Sequence, residues 1–178
     1  MKRRPTISGR ITSIRHAFAH AIIPRGVDPV ALADAYKIAG FEDGKCVYCV
    51  RDATDQDHLH PIVKDGRPSG HYHTNDNVVP SCGPCNQSKS GSDWKRWMER
   101  RAVAAPERSA EIAARVEALE KFEAHWRTAN PPGSIDLQEA IGPELHEAYW
   151  SLLSEIEATC AEADQKAAEI RKKLGYAQ

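Results

Sequence analysis

Four cysteines stand in two pairs, Cys46 and Cys49 in the run CVYC and Cys82 and Cys85 in the run CGPC, with 32 residues between the pairs. Four thiolates at this spacing close a tetrahedral site around zinc. Each knuckle presents two sulfurs from one tight turn, and the long interval lets a hairpin be stapled between them. With every position taken by sulfur, such a zinc has no open position for catalysis and supplies folding energy to a piece with little core of its own. A redox role for the pairs would need a thioredoxin-like strand–helix pattern, and neither pair sits in one. Within and just after the interval lie Asp57 and His58 in DHLHP, Asn77 in NVVP, and Asn86 in CGPCNQSKS. Carboxylate, imidazole and amide side chains gathered in this way are the materials of acid–base and metal-ion chemistry.

The elements that must position these residues are legible in part. Asp28 is a good N-cap with Pro29 at the first helical position, so a helix is expected from Pro29 to Ala39, ended by Gly40. A short helix from Thr12 to about Ile23 carries Ile14, Phe18 and Ile22 at a spacing of four, with Arg15 and His16 on a wet face; residues 1–10 read as a loosely ordered basic arm. Phe41 to Val50 is strand-like around the first knuckle, Asp55 to Val63 reads as one strand, Lys64 to Asp76 as a polar hairpin loop, and Asn77 to Pro80 as the return strand. Pro84 suits the first turn of a short helix carrying Cys85, Asn86 and Lys89, and Asp93 caps the next, WKRWMERRAVAA, on which Trp94 and Trp97 are expected to be buried. Ile112, Val116, Leu119, Phe122 and Trp126 form one apolar stripe. Asn130 to Gly133 break the chain, and Leu145, Tyr149, Leu152, Ile156, Ala163, Ala167, Ile170 and Leu174 form a second stripe. The two stripes suit a helical hairpin within one chain and equally the seam of a homodimer. Cys160 is read as a small packing residue of the second helix.

Taken together and in this order, DHLHP, NVVP and CGPCNQSKS resemble the three parts of the HNH endonuclease motif, in the zinc-stapled subset of that family. The likeness covers roughly residues 46–98. It implies an α+β, mostly helical chain with a central ββα-metal motif stapled by the four-cysteine zinc site. It further implies that His58 is the general base toward the attacking water, and that Asp57 and Asn86 hold one catalytic Mg²⁺ or Mn²⁺. Asn77 would hold the base and the nearby backbone in place. Asn86 stands where many members have histidine, a departure that bears on metal preference. The physical logic agrees: a phosphodiester needs a nucleophile, charge neutralisation at phosphorus and help for the leaving oxygen. The products would carry 5′-phosphate and 3′-hydroxyl ends.

The expected partner is double-stranded DNA. A net charge of −1 hides a division, because residues 1–101 carry 16 Lys+Arg against 11 Asp+Glu and residues 102–178 carry 8 against 14. The field that attracts phosphates therefore belongs to the half with the knuckles. Lys89, Lys95 and Arg96 are the candidate phosphate contacts, with Arg100 and Arg101 beside them. His60 reads as a support for the site or a packing residue, and His71 and His73 as loop residues that either touch DNA or face solvent. Three regions are expected: 1–40, an arm and helices; 41–105, the zinc-containing nuclease core; and 106–178, a helical region for DNA positioning or dimerisation. No apolar run reaches the length of a membrane span, and Arg10, Arg15 and His16 interrupt the segment after MKRRPTISGR, so no membrane association and a cytoplasmic location are expected. Among nucleases, a site-specific restriction-like enzyme is favoured over a phage or mobile-element homing or nicking enzyme. A non-catalytic zinc-binding DNA-recognition module, or an interaction protein built on the C-terminal helices, are the readings from other classes.

Overall fold

The computed structural model describes residues 6–129 and 136–175. In chain order a 3₁₀ turn, Ser8–Arg10, leads into α1 (Ile11–Ile22), β1 (Arg25–Gly26), α2 (Pro29–Ala39), β2 (Asp55–His58), β3 (Val63–Lys64), β4 (Arg67–Pro68), β5 (His73–Thr74), β6 (Val78–Ser81), α3 (Gly83–Lys89), α4 (Trp94–Ala104), α5 (Ser109–Ala129), α6 (Leu137–Ile141) and α7 (Pro143–Lys173). The chain is mostly helical with small sheets, an α+β composition. The described residues fall into two compact units: 6–22, 65–67 and 136–175 form one, and 23–64 with 68–129 form the other.

The second unit holds every candidate site residue. Its frame begins with α2, whose start and stop follow local chemistry. Asp28 Oδ1 accepts from the amides of Val30 and Ala31 at 2.9 and 3.3 Å, and Gly40 closes the helix at φ 77°, a conformation that a Cβ would strain. Leu32, Ala35 and Ala39 make its buried face. α5 lays Ile112, Leu119, Phe122 and Trp126 into the same core, with the Phe122 ring 5.8 Å from Tyr36 and 5.5 Å from Phe41. α4 adds Trp94 and Trp97, buried as the sequence suggests, and Met98 beside them.

The sheets are shorter than expected, for identifiable reasons. Phe41 to Val50 forms turns rather than a strand. Two sulfurs must come from one side of the CVYC run, so the chain folds back on itself: the amides of Cys49 and Val50 both reach the carbonyl of Cys46, and Val50 sits at φ 62°. Val47 and Tyr48, strand formers by propensity, are spent on the core. β2 and β6 pair antiparallel with Asp57 opposite Val79 and His58 opposite Val78. β2 stops at His58 instead of running to Val63. The side chain of Asn77 takes over the backbone of His60, and Pro61 has no amide to give to a ladder. The 64–76 segment is not a bare loop, since β5 pairs in parallel with β1, Arg25 opposite His73 and Gly26 opposite Thr74. α3 follows β6 directly and packs on β2.

In the first unit α7 packs with α1. The Phe18 and Tyr149 rings lie 5.2 Å apart, the Tyr149 hydroxyl donates to the Phe18 carbonyl at 2.9 Å, and the Arg67 guanidinium covers Trp150 at 3.8 Å. Within the second unit α5 finds its partners in α2 and α4, and within the first α7 finds its partners in α1 and α6. The buried face of α7 is Trp150 and Leu153, while Leu145, Leu152, Ile170 and Leu174 of the expected stripe are exposed. The basic arm is also not wholly loose, because the amides of Ile7 and Ser8 bond to the Asp164 carboxylate at 2.8 and 2.9 Å. Residues 1–5 and the expected break at Asn130 to Gly133 lie outside the described residues. Among the described residues no helix is long and apolar enough to cross a membrane.

Candidate functional site

The two knuckles bring their four sulfurs together. Cys46 and Cys49 come from the turn before β2, Cys82 from the N-cap of α3, and Cys85 from its first turn, where its amide reaches the Cys82 carbonyl at 3.0 Å. All four side chains are buried, and their Sγ atoms lie within 4.8 Å of one another, with Cys49 and Cys82 3.6 Å apart. Tetrahedral zinc with sulfur ligands at about 2.3 Å calls for sulfur separations of roughly 3.8 Å. The cluster thus fits a metal ion such as zinc. A hydrogen bond between Cys46 and Cys85 lowers the Cys46 thiol and raises that of Cys85, so without a cation the pair shares one negative charge. Thiols this crowded ionise together only beside a cation. Two guanidiniums approach from outside: Arg51 Nε is 3.3 Å from Cys49 Sγ, and Arg101 Nη1 is 3.7 Å from Cys85 Sγ. Arg101, placed by the sequence among phosphate contacts, is turned to the sulfurs and lies over the Trp97 ring at 4.7 Å. Cys160 is half-buried on α7.

Alternation along β2 sends Asp57 inward and leaves His58 half-buried on the other face. Asp57 meets Tyr48, whose hydroxyl donates to Oδ2 at 2.8 Å, and Lys89, whose Nζ is 3.1 Å from Oδ2 and 3.4 Å from Oδ1. Nζ also donates to the His58 carbonyl at 2.8 Å. Lys89 is 1% exposed. Its expected surface contact with phosphate is therefore corrected: the ammonium is an internal counter-charge, reached because α3 packs on β2 and directs its last turn under the strand. Burial pushes the Asp57 carboxyl up, and Lys89 and Tyr48 pull it back.

On the other face, His58 Nε2 lies 2.9 Å from His73 Nδ1, with the rings edge to face at 5.1 Å. Two residues on, His60 stacks on His71 at 4.5 Å, and its Nε2 meets Glu123 Oε1 at 2.7 Å. Trp94 Nε1 donates to the same oxygen at 3.1 Å. Asn77 joins the two histidine segments. Its Oδ1 accepts from the His60 amide at 2.6 Å, and its Nδ2 donates to the carbonyls of His60 and Tyr72 at 2.9 Å each. Asn86, on α3, donates from Nδ2 to the Gln56 carbonyl at 3.4 Å, which seats it against β2. Lys95 and Arg96 are exposed on α4, and Lys95 pairs with Glu120.

Sequence reasoning did not find Tyr48, Glu123 or Arg51. Tyr48 reads as a strand former, although its place between two cysteine ligands was a signal that it points into the interior. Glu123 lies 63 residues from His60 and carries no local signal. No protein-family model matches the chain, and no curated protein and no solved structure does either.

Proposed function

We propose that the chain is a metal-dependent DNA endonuclease of the HNH type, with a site-specific, restriction-like role. The observation that carries this reading is the juxtaposition on one short frame: an antiparallel pair followed directly by a helix, stapled by four cysteines, with His58 half-exposed, Asn77 bonded to the adjoining backbone and Asn86 seated beside β2. His58 accepts the proton of the attacking water and so acts in its neutral form. Asn77 keeps the segment after His58 from shifting. Asp57 and Asn86 are the oxygen donors for Mg²⁺ or Mn²⁺. To hold such an ion, Asp57 would share its carboxylate with Tyr48 and the buried Lys89 ammonium. A divalent ion there would offset charge on the scissile phosphate and on the leaving 3′-oxygen. The products are 5′-phosphate and 3′-hydroxyl ends on double-stranded DNA, drawn in by the positive balance of residues 1–101.

A second reading has its own observation. The buried contact of Asp57 with Lys89 and Tyr48 is what a purely structural ion pair looks like, and it favours a non-catalytic zinc-binding DNA-recognition module. Cleavage of supercoiled plasmid and phage genomic DNA separates the two. Discrete fragments formed with Mg²⁺ or Mn²⁺, and lost with EDTA or in His58→Ala, support the endonuclease. Normal cutting by His58→Ala removes the assignment of the base, and binding without cleavage favours the module.

A further inference from the structure

We infer, independently of the endonuclease reading, that α7 pairs antiparallel with the α7 of a second copy of the chain. The 31-residue helix has two apolar faces. One is used within the first unit: Trp150 and Leu153 are buried, the Tyr149 hydroxyl bonds to α1, Glu157 pairs with Arg15, and Asp164 holds the amides of Ile7 and Ser8. The other lies about a quarter-turn further round the helix. It consists of Leu145, Leu152, Ile156, Ala163, Ile170 and Leu174, at intervals of seven, four, seven, seven and four, the spacing of a coiled-coil seam. Leu145 and Leu174 are each 62% exposed, Ile170 57% and Leu152 52%, while Ile156 and Ala163 are half-buried.

The charges along α7 decide what fits on this seam. Residues 144–164 carry six Asp+Glu and no Lys or Arg, whereas residues 165–174 carry four Lys+Arg and one Glu. Two parallel copies would set acid against acid along most of their length. In an antiparallel pair the acidic start of each helix meets the basic end of the other, and the helix dipoles oppose. A two-fold axis passing between Thr159 and Cys160 serves the apolar and the charged positions together. Leu145 then lies level with Leu174 of the second copy, Ile156 with Ala163, and Leu152 between Ala163 and Ile170. On the outer flank Glu155 comes within reach of Lys166, and Glu144 of Lys173, all four exposed in the single chain. Each contact is made twice, so the surface is complementary to itself.

The test uses the full-length, metal-loaded chain and reads mass and cross-linking, which do not depend on cleavage. Sedimentation of wild type is expected to give twice the chain mass of 19.7 kDa. Leu152→Glu with Ile170→Glu gives the single mass at unchanged circular dichroism and metal content, because both side chains are exposed in the single chain. Glu155→Lys loses dimer, and adding Lys166→Glu restores it. In a Cys160→Ser background, Thr159→Cys forms a disulfide between copies under oxidised glutathione. Leu152→Cys does not, since its two thiols lie about 22 Å apart along the axis at 1.5 Å per residue. A monomeric wild type overturns the proposal and leaves the face to a different protein. A dimer that survives Leu152→Glu with Ile170→Glu also overturns it, because the copies then meet elsewhere. Absence of the Thr159→Cys cross-link, or a Glu155→Lys dimer as tight as wild type, overturns the antiparallel pairing, and a Leu152→Cys cross-link marks parallel copies instead.

Discussion

Nζ of Lys89 lies 3.1 Å from Oδ2 of Asp57, with the two side chains 1% and 7% exposed. Burial works against both charges, pushing the carboxyl up and the ammonium down, and the charge of each opposes that shift in the other. Removing one partner leaves an uncompensated buried charge, whereas removing both leaves only a packing change. Lys89→Met is expected to lower stability by about 3–5 kcal/mol. The double variant Lys89→Met with Asp57→Asn should lose clearly less than the sum of the single changes. Urea unfolding of the three variants measures this, and strict additivity would show that the pair does not act as a unit.

The four-cysteine cluster predicts one tightly held metal ion per chain. Replacing Cys85 with Ser should release it and unfold the second unit, because ligand binding and folding are one process in a site this buried. The guanidiniums of Arg51 and Arg101 lie against the sulfurs at 3.3 and 3.7 Å and offset their charge. Arg51→Gln and Arg101→Gln should each weaken retention of zinc by about 10- to 100-fold, the usual effect of losing an outer partner. Competition with a chromophoric chelator reads this directly, and wild-type retention in both variants would remove the arginines from the account.

The division between what was and was not legible follows the range of the forces involved. α2 was readable to the residue because Asp28, Pro29 and Gly40 act within one turn of the helix they bound. The cysteine cluster was readable because a tetrahedral site imposes a spacing. By contrast, a lysine two turns into an exposed-looking helix gives no sign that a carboxylate 32 residues earlier awaits it. The early end of β2 depends on a side-chain amide from β6's leading edge, which no propensity scale registers. The apolar faces of α5 and α7 were visible as patterns. Their partners were not, since an amphipathic stripe states that it must be covered and not by what.

Acid should weaken the fold through His71. Burial first, and next the neighbouring His60, hold its ring below the ordinary value of 6.5, while Asp76 and Glu123 act the other way. A histidine whose folded pKa is depressed binds its proton more readily in the unfolded chain. Between the depressed value and 6.5 the unfolded state therefore carries more protons, and stability falls as pH drops through that window. His71→Gln should flatten the acid limb below about pH 6.5, as followed by denaturant midpoints from pH 5 to 8. A slope identical to that of wild type would assign the acid sensitivity to other groups.

Asn77 offers the sharpest chemical substitution in the chain. It is 2% exposed and satisfies one amide and two carbonyls of segments 12 or more residues from one another. Asn77→Asp keeps the acceptor for the His60 amide and replaces the donor group with an oxygen that faces the carbonyls of His60 and Tyr72. The loss should be roughly 1–3 kcal/mol for each group left unsatisfied. Protonation of the new carboxyl returns one donor, and burial beside two carbonyls raises its folded pKa above that of the unfolded chain. The sign is then fixed: the protonated form contributes stability that is present below the unfolded value, near 4, and is lost as pH rises through the folded one. Relative to wild type, Asn77→Asp should be less destabilised at pH 4.5 than at pH 7.5, whereas Asn77→Ala shows no such trend. A pH-independent difference for Asn77→Asp would mean that the amide does not hold both carbonyls, and with it would go the fixed spacing of the histidine segments.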